Sequence, residues 1–284
     1  MKVSCSRRVR AQLALAGGLK AEVLRLIGRK IARAPSDADA AQWQTLLRQI
    51  ELSAPAFKVK TQVRAAAQLD RRCSMLTGPF YTSAQYPAPL DARGAGHFPV
   101  VQLDLGPLSV AAQQPLGDGL LQPWYDVAEA SALIRIIPLR GVAANEPTAF
   151  SWTAAPDFDA GPMPGDWNLD PCGDAVHQIV GLVATGIECQ ADFIEAYYGE
   201  LAPEQPDWLG TLIQLFIEKA PYRHCSSSES VKLFGTFYGI QYSAADVGMP
   251  CLMSMGWYAS GGAELYSRLC KGQAPQYAFG NCDR

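Results

Sequence analysis

The sequence predicts an α+β fold: a helical N-terminal subdomain, then a mixed, mainly antiparallel β body with an internally duplicated β-motif and a helical insert. Three observations predict it. Apolar residues recur at helical spacing through most of residues 1–72. The texture then changes to short β-rich runs between Pro/Gly turns. Helical spacing returns in the middle of the chain before β-rich segments close it. Strands, then helices, then strands is the α+β order, not the regular alternation of a doubly wound sheet. At 284 residues with 49% hydrophobic content the chain is long enough to bury a large core, as one big domain or two small ones.

Leu19, Val23, Leu26, Ile27 and Ile31 predict an amphipathic helix over residues 20–34, with Gly17-Gly18 marking a break just before it. A basic start and the apolar run at 13–19 suggest a secretory signal, but Lys20, Glu22, Arg25, Arg29 and Lys30 interrupt that run, so the amphipathic helix is the better reading. Ser36-Asp37 caps a second helix over 38–50, whose apolar face is Trp43, Leu46, Leu47 and Ile50. A third helix is expected over 59–72, with Lys58, Lys60, Arg64, Arg71 and Arg72 exposed. Residues 1–72 then form a basic helical N-terminal subdomain, and 73–284 an α+β body carrying an acidic insert at 141–218.

In the body, Phe98-Pro-Val-Val-Gln-Leu-Asp-Leu105, Leu120-Leu-Gln-Pro-Trp-Tyr-Asp126 and Ala132-Leu-Ile-Arg-Ile-Ile-Pro138 read as strands. Residues 146–171 read as loop. Helices are expected at 175–189 behind the cap Asp174, at 191–201, and at 208–220 behind Asp207. The end is β again, at 231–242 and 249–258. One echo stands out: Gly78-Pro-Phe-Tyr81, Gln85-Tyr86 and Phe98-Pro99 recur in order as Gly235-Thr-Phe-Tyr238, Gln241-Tyr242 and Met249-Pro250. A duplicated β-motif explains the order; the alternative is chance similarity between two aromatic-rich segments.

Gly78-x-Phe80, the strand from Phe98, Gly119-Leu-Leu-Gln122 and Lys232-Leu-Phe-Gly235 with Ile240-Gln241 resemble the bacterial YwqG-like family, a domain of unknown function. The likeness spans roughly residues 76–258 and leaves the N-terminal helices outside it. It departs from the family at Val231, where a His often precedes the Lys-Leu-x-Gly stretch, and at Pro123-Trp124, where the family has an aromatic pair. The resemblance implies an α+β fold with an internal duplication and no established catalytic residues. It also implies a neighbourhood, since such proteins look like immunity partners of bacterial polymorphic toxins.

Charge is distributed unevenly. Residues 1–72 carry fifteen Lys/Arg against five Asp/Glu, whereas residues 141–218 carry thirteen carboxylates and no Lys or Arg. A one-signed surface self-repels and steers a partner of the opposite sign; the plainer reading is a solvated acidic face. Trp152, Trp167, Tyr197, Tyr198 and Trp208 fall inside the acidic run, and aromatic anchors within a polar rim suit a protein interface. Either Tyr197 or Tyr198 is expected to be exposed. Asp157, Asp159, Asp166, Trp167, Asp170, Glu195, Tyr198 and Glu200 are the candidate partner-binding residues.

Eight cysteines without a C-x-x-C pair suggest reduced thiols and a cytoplasmic protein. Asp166, Asn168 and Asp170 have the 1, 3, 5 spacing of a calcium loop, but Pro171 and His177 replace the turn glycine and the bidentate Glu. His97, His177 and His224 lack metal-site spacing, and no nucleophile elbow, P-loop or dinucleotide fingerprint occurs. No catalytic residue, metal or cofactor is therefore expected. No run approaches eighteen apolar residues, so no membrane span is expected; the acidic clusters repel phosphate backbones, so nucleic acid is not an expected partner either. The expected function is that of an immunity protein which occludes the active site of a co-encoded toxin, a nuclease with a basic surface first of all. The alternative is an enzyme or small-molecule-binding protein using a cavity between the duplicated β-motifs.

Overall fold

The computed structural model describes residues 1–76, 78–112, 115–126, 129, 131–152, 174–189, 191–201, 207–219, 231–236, 251–257, 261–268 and 276–282. It is an α+β protein in which the N-terminal helices α1 (Arg7–Ile31) and α2 (Asp37–Leu52) pack onto a large antiparallel sheet with helical inserts. Ser6 and Ser36 cap the two helices, their side chains accepting from Val9 N and Asp39 N. The expected second helix is therefore present. The break at Gly17-Gly18 is not: α1 runs straight through both glycines. Its buried residues Ala16, Val23, Leu26 and Ile27 face α2 and the later helices, and that packing offsets two glycines that cost about 1 kcal/mol each.

The expected third helix is a strand, β2 (Ala54–Ala65). Lys58, Lys60, Gln62 and Arg64 alternate outward while Phe57, Val59 and Thr61 are half-buried, the period-two signature of a strand with one wet face. Its partner, β8 (Ala175–Glu188), was likewise expected to be a helix. Two bulges in the β2–β8 ladder explain the misreading, for Val180 and Thr185 are each skipped in the pairing. Buried positions in β8 therefore fall at Val176, Ile179, Leu182, Ala184 and Ile187, and bulge-shifted alternation mimics helical spacing. Asp174, expected as a helix cap, is an exposed residue leading into this strand.

The other strands are β1 (Lys2–Ser4), β3 (Met75–Leu76), β4 (Phe98–Pro99), β5 (Val101–Asp104), β6 (Leu120–Asp126) and β7 (Ser131–Ile137), then β9 (Lys232–Phe234), β10 (Cys251–Trp257), β11 (Gly261–Arg268) and β12 (Gln276–Cys282). The segment read as one strand from Phe98 is β4 and β5, and it turns at Leu105 into α3 (Leu105–Ala112), where Asp104 accepts from Gly106 N at 3.1 Å. A short helix, α4 (Leu139–Ala144), follows β7. Helices α5 (Ala191–Leu201) and α6 (Asp207–Lys219) lie where expected.

The strand order has a mirror form. From β8 outward run β3, β5, β6 and β7; from its neighbour β2 outward run β9, β10, β11 and β12. Each arm is antiparallel throughout, and β1 joins β8 in parallel. Gly78 and Gly235, which follow β3 and β9, both have positive φ (105° and 81°). The two ends of the sheet meet: β12 lies against β7, and Tyr277 Oη donates to Leu116 O at 2.6 Å. The curled sheet encloses a core drawn from both arms, including Leu76, Val101, Leu103, Leu121, Leu233, Phe234, Leu252 and Met253. A second core unites α1, α2, α5 and α6 around Ile187 and Cys189 at the end of β8.

Candidate functional site

Helix α6 has two faces. Leu209, Ile213, Phe216 and Ile217 are buried in the helical core. On the opposite face, Trp208, Thr211, Leu215 and Glu218 follow one another at i, i+3, i+7 and i+10 and are all exposed, Trp208 by 51% and Leu215 by 40%. Helix α5 lies alongside, with Gln214 Nε2 donating to Glu195 Oε1 at 3.5 Å. Glu195, Glu200 and Glu218 are exposed and make no salt bridge among the described residues. A large aromatic and a leucine thus stand in solvent on the face that carries Glu218, beside a helix that exposes Glu195 and Glu200.

Of the residues expected at the interface, Glu195, Tyr198 and Glu200 lie on α5, whereas Asp157, Asp159, Asp166, Trp167 and Asp170 lie outside the described residues. Tyr197 and Tyr198 are both half-buried against the helical core, so the expectation that one of them is exposed is corrected. Gly210 of α6 explains how: a Cβ there would sit 3.1 Å from Tyr198 Oη, so the ring lies over the bare backbone. Trp152 is also half-buried, edge-on to Phe98 with centroids 5.9 Å apart, and its Nε1 donates to Gly96 O at 3.1 Å. Trp208 is left as the exposed tryptophan of this helix pair. Leu215 and Glu218 were overlooked in the sequence, although their spacing from Trp208 placed them on its face.

Glu188 also belongs to the acidic run by sequence but not by position. It is 3% exposed, and its Oε2 lies 2.5 Å from the ammonium of Lys232. Lys232 Nζ also donates to Thr236 O at 2.9 Å, and Thr236 N donates to the same Glu188 oxygen at 3.3 Å. This pair ties β8 to β9, one strand from each arm, and forms part of the frame.

Of the segments quoted for the resemblance, those at Gly78, Gln102 and Gln122 face inward as well, while Ile240-Gln241 lies outside the described residues. Gln102 Oε1 accepts from Tyr81 N at 2.8 Å, and its Nε2 donates to Arg71 O and Cys73 O at 2.8 and 2.7 Å. Gln122 Nε2 donates to Tyr81 O and to Gln102 Oε1 at 2.9 and 2.6 Å, and Arg135 Nε donates to Gln122 Oε1 at 2.7 Å. The two glutamines thereby satisfy the backbone that follows Gly78. Arg135 lies 5.2 Å above the Trp124 ring, Trp124 stacks on Phe150 at 6.4 Å, and Arg71 lies 5.7 Å from Phe150. Burial lowers the pKa of Arg71 and takes that of Arg135 down to about 10, so both cations are held by carbonyls and aromatic faces. This is a filled, braided core.

His97 Nε2 lies 3.4 Å from Asp126 Oδ2, and no three His, Cys, Asp or Glu side chains among the described residues gather at metal-binding distance. The calcium-like spacing at Asp166–Asp170 and His224 lie outside the described residues. Burial pushes the thiols of Cys73 and Cys189 up to about 11 and about 12, which leaves them protonated and unreactive at neutral pH. No described helix is long and apolar enough to cross a membrane. No protein-family model matches the chain, and no curated protein matches it.

Proposed function

We propose that this chain acts by binding, as a YwqG-like immunity protein that neutralises a co-encoded bacterial toxin in the cytoplasm. A nuclease delivered by a secretion system, the type VI system first among them, is the toxin class that fits the charge. Nucleases present cations to phosphates, and a carboxylate-bearing surface competes for those cations. The observation that carries this reading is the exposed Trp208–Thr211–Leu215–Glu218 stripe, lying in a stretch of sequence with thirteen carboxylates and no Lys or Arg. A solvated acidic face does not need a tryptophan 51% exposed; an interface anchor does. In this reading the mirror-ordered arms of the sheet derive from an internal duplication. Two observations support that: the echoed Gly-x-Phe-Tyr motifs, and the positive-φ glycines that follow β3 and β9. The duplicated sheet would be the frame and the helical insert of the second arm the working surface.

The test uses the protein encoded beside this one as the probe. Wild-type chain is expected to co-purify with it and to protect cells that express it. The triple variant Glu195→Lys, Glu200→Lys, Glu218→Lys, which changes only exposed positions, is expected to fold normally and lose both properties. Trp208→Ala alone is expected to weaken binding by on the order of 2 kcal/mol, about 30-fold in affinity. Normal protection by the folded triple variant would remove the helix pair from the interface.

A further inference from the structure

The exposed face of β1 and β2 is cationic, whereas α5 and α6 expose carboxylates. On β2, Lys58, Lys60 and Arg64 point to solvent from one face, with successive outward positions about 6.7 Å apart along the strand. Strand β1 widens this face. Lys60 and Lys2 are both in register with Gly181 of β8, so the three residues form one row across β2, β8 and β1. Two strand spacings, about 9.5 Å, separate the backbones that carry the two lysines. Gly181 makes the row possible, because a Cβ there would lie 2.7 Å from Lys2 O and push β1 away. The adjacent row of the same face is Lys58, Val183 and Ser4, all exposed. None of Lys2, Lys58, Lys60 and Arg64 makes a salt bridge among the described residues. Like charges gathered on one sheet face repel, and an acidic surface laid over them removes that cost.

We propose that this β1–β2 face docks the α5–α6 face of a second copy of the same chain. The occupant's chemistry is already in the molecule: exposed Glu195, Glu200 and Glu218, with Trp208 and Leu215 on the same helix pair, complement exposed Lys2, Lys58, Lys60 and Arg64, with Val183 among them. Because the two faces differ, the contact is heterologous and builds head-to-tail chains whose length grows with concentration. The proposal rests on the reading of α5–α6 as a protein-binding face. It adds a consequence: self-association and toxin binding compete for that face, so free toxin dissolves the chains into toxin-bound units.

A charge swap tests it on the full-length protein. Sedimentation is expected to show concentration-dependent association of wild type at low ionic strength, lost at high salt. The variant Lys58→Glu, Lys60→Glu has two acidic faces and is expected to be monomeric. The variant Glu195→Lys, Glu218→Lys has two basic faces and is also expected to be monomeric. Mixed one to one, the two are expected to associate at least as strongly as wild type. Circular dichroism of each variant confirms that it is folded. A wild type monomeric at high micromolar concentration and low salt overturns the proposal. So does self-association by either variant alone, or failure of the folded pair to associate. Toxin capture by the Lys58→Glu, Lys60→Glu variant separates the two readings. If it persists while wild type never self-associates, only the second-copy contact fails; if it is absent for wild type too, the assignment of α5–α6 fails.

Discussion

Lys232→Met is expected to lower the stability of this protein by about 3–5 kcal/mol, the usual cost of leaving one member of a buried ion pair without its partner. Lys232 and Glu188 are almost fully enclosed, and the Glu188 carboxylate draws its two contacts from Lys232 Nζ and Thr236 N. Methionine matches the length of the lysine stem but supplies no donor, so the carboxylate must either protonate or drag water into the joint between β8 and β9. In thermal unfolding this corresponds to a fall of about 6–20 °C for a domain of this size. The double variant Lys232→Met, Glu188→Leu removes both charges and is expected to recover much of the loss, since an apolar pair of similar volume replaces an ion pair at little cost. A single variant that melts with wild type would show that the pair is solvated and does not hold the two arms.

Gly119→Ala is expected to cost on the order of 3 kcal/mol or more, from two sources that add. Gly119 has φ of +97°, a conformation that disfavours any Cβ, and an added Cβ would lie 2.0 Å from Ile137 O. That oxygen belongs to backbone at the start of the β6–β7 ladder, where Leu120 pairs with Ile137, so no side chain can swing aside to make room. Leu105 N also donates to Gly119 O at 2.9 Å, which pins the glycine from the other side. The internal control is Gly17→Ala in α1, where a Cβ meets nothing within 4 Å and φ is helical; it is expected to stabilise by about 1 kcal/mol. Denaturant midpoints of the two variants should move in opposite directions. Equal shifts would mean that backbone conformation at Gly119 is not limiting.

The amphipathic helices were legible in the sequence because their cause is local. Trp43, Leu46 and Ile50 on α2, like Ile194 on α5 and Ile213 on α6, follow the 3.6-residue period that burial against one neighbour demands. The two long central strands were not, for different reasons. In β2 the alternation of Lys58, Lys60, Gln62 and Arg64 was visible, but long basic side chains followed by Ala65-Ala66-Ala67 also suit a helix. In β8 the bulges at Val180 and Thr185 erase the alternation, and bulges follow from tertiary pairing with β2, which no local window contains.

The site divides along the same line. The acidic bias is compositional and could be read directly. Which acids reach solvent could not: Glu188 is neutralised by a lysine 44 residues away in sequence. Gln102 and Gln122 fall in the segments that carry the resemblance, yet their backbone partners lie 21–41 residues distant, and they act as internal braces. Trp208 and Leu215 share a face by simple helical arithmetic. That they are exposed depends on where α1 covers α6, and this needed the fold.

The central proposal, that the α5–α6 face is an electrostatically steered binding surface, is tested most directly by the association rate of the purified chain with the protein encoded beside it, followed from low to physiological ionic strength. Screening lengths shrink from about 30 Å to about 8 Å over that range, so a carboxylate-steered encounter slows steeply while dissociation changes little. The account expects the association rate to fall by about tenfold or more, and the Glu195→Lys, Glu200→Lys, Glu218→Lys variant to associate slowly at every salt concentration. An association rate indifferent to ionic strength, or a variant as fast as wild type, would contradict it.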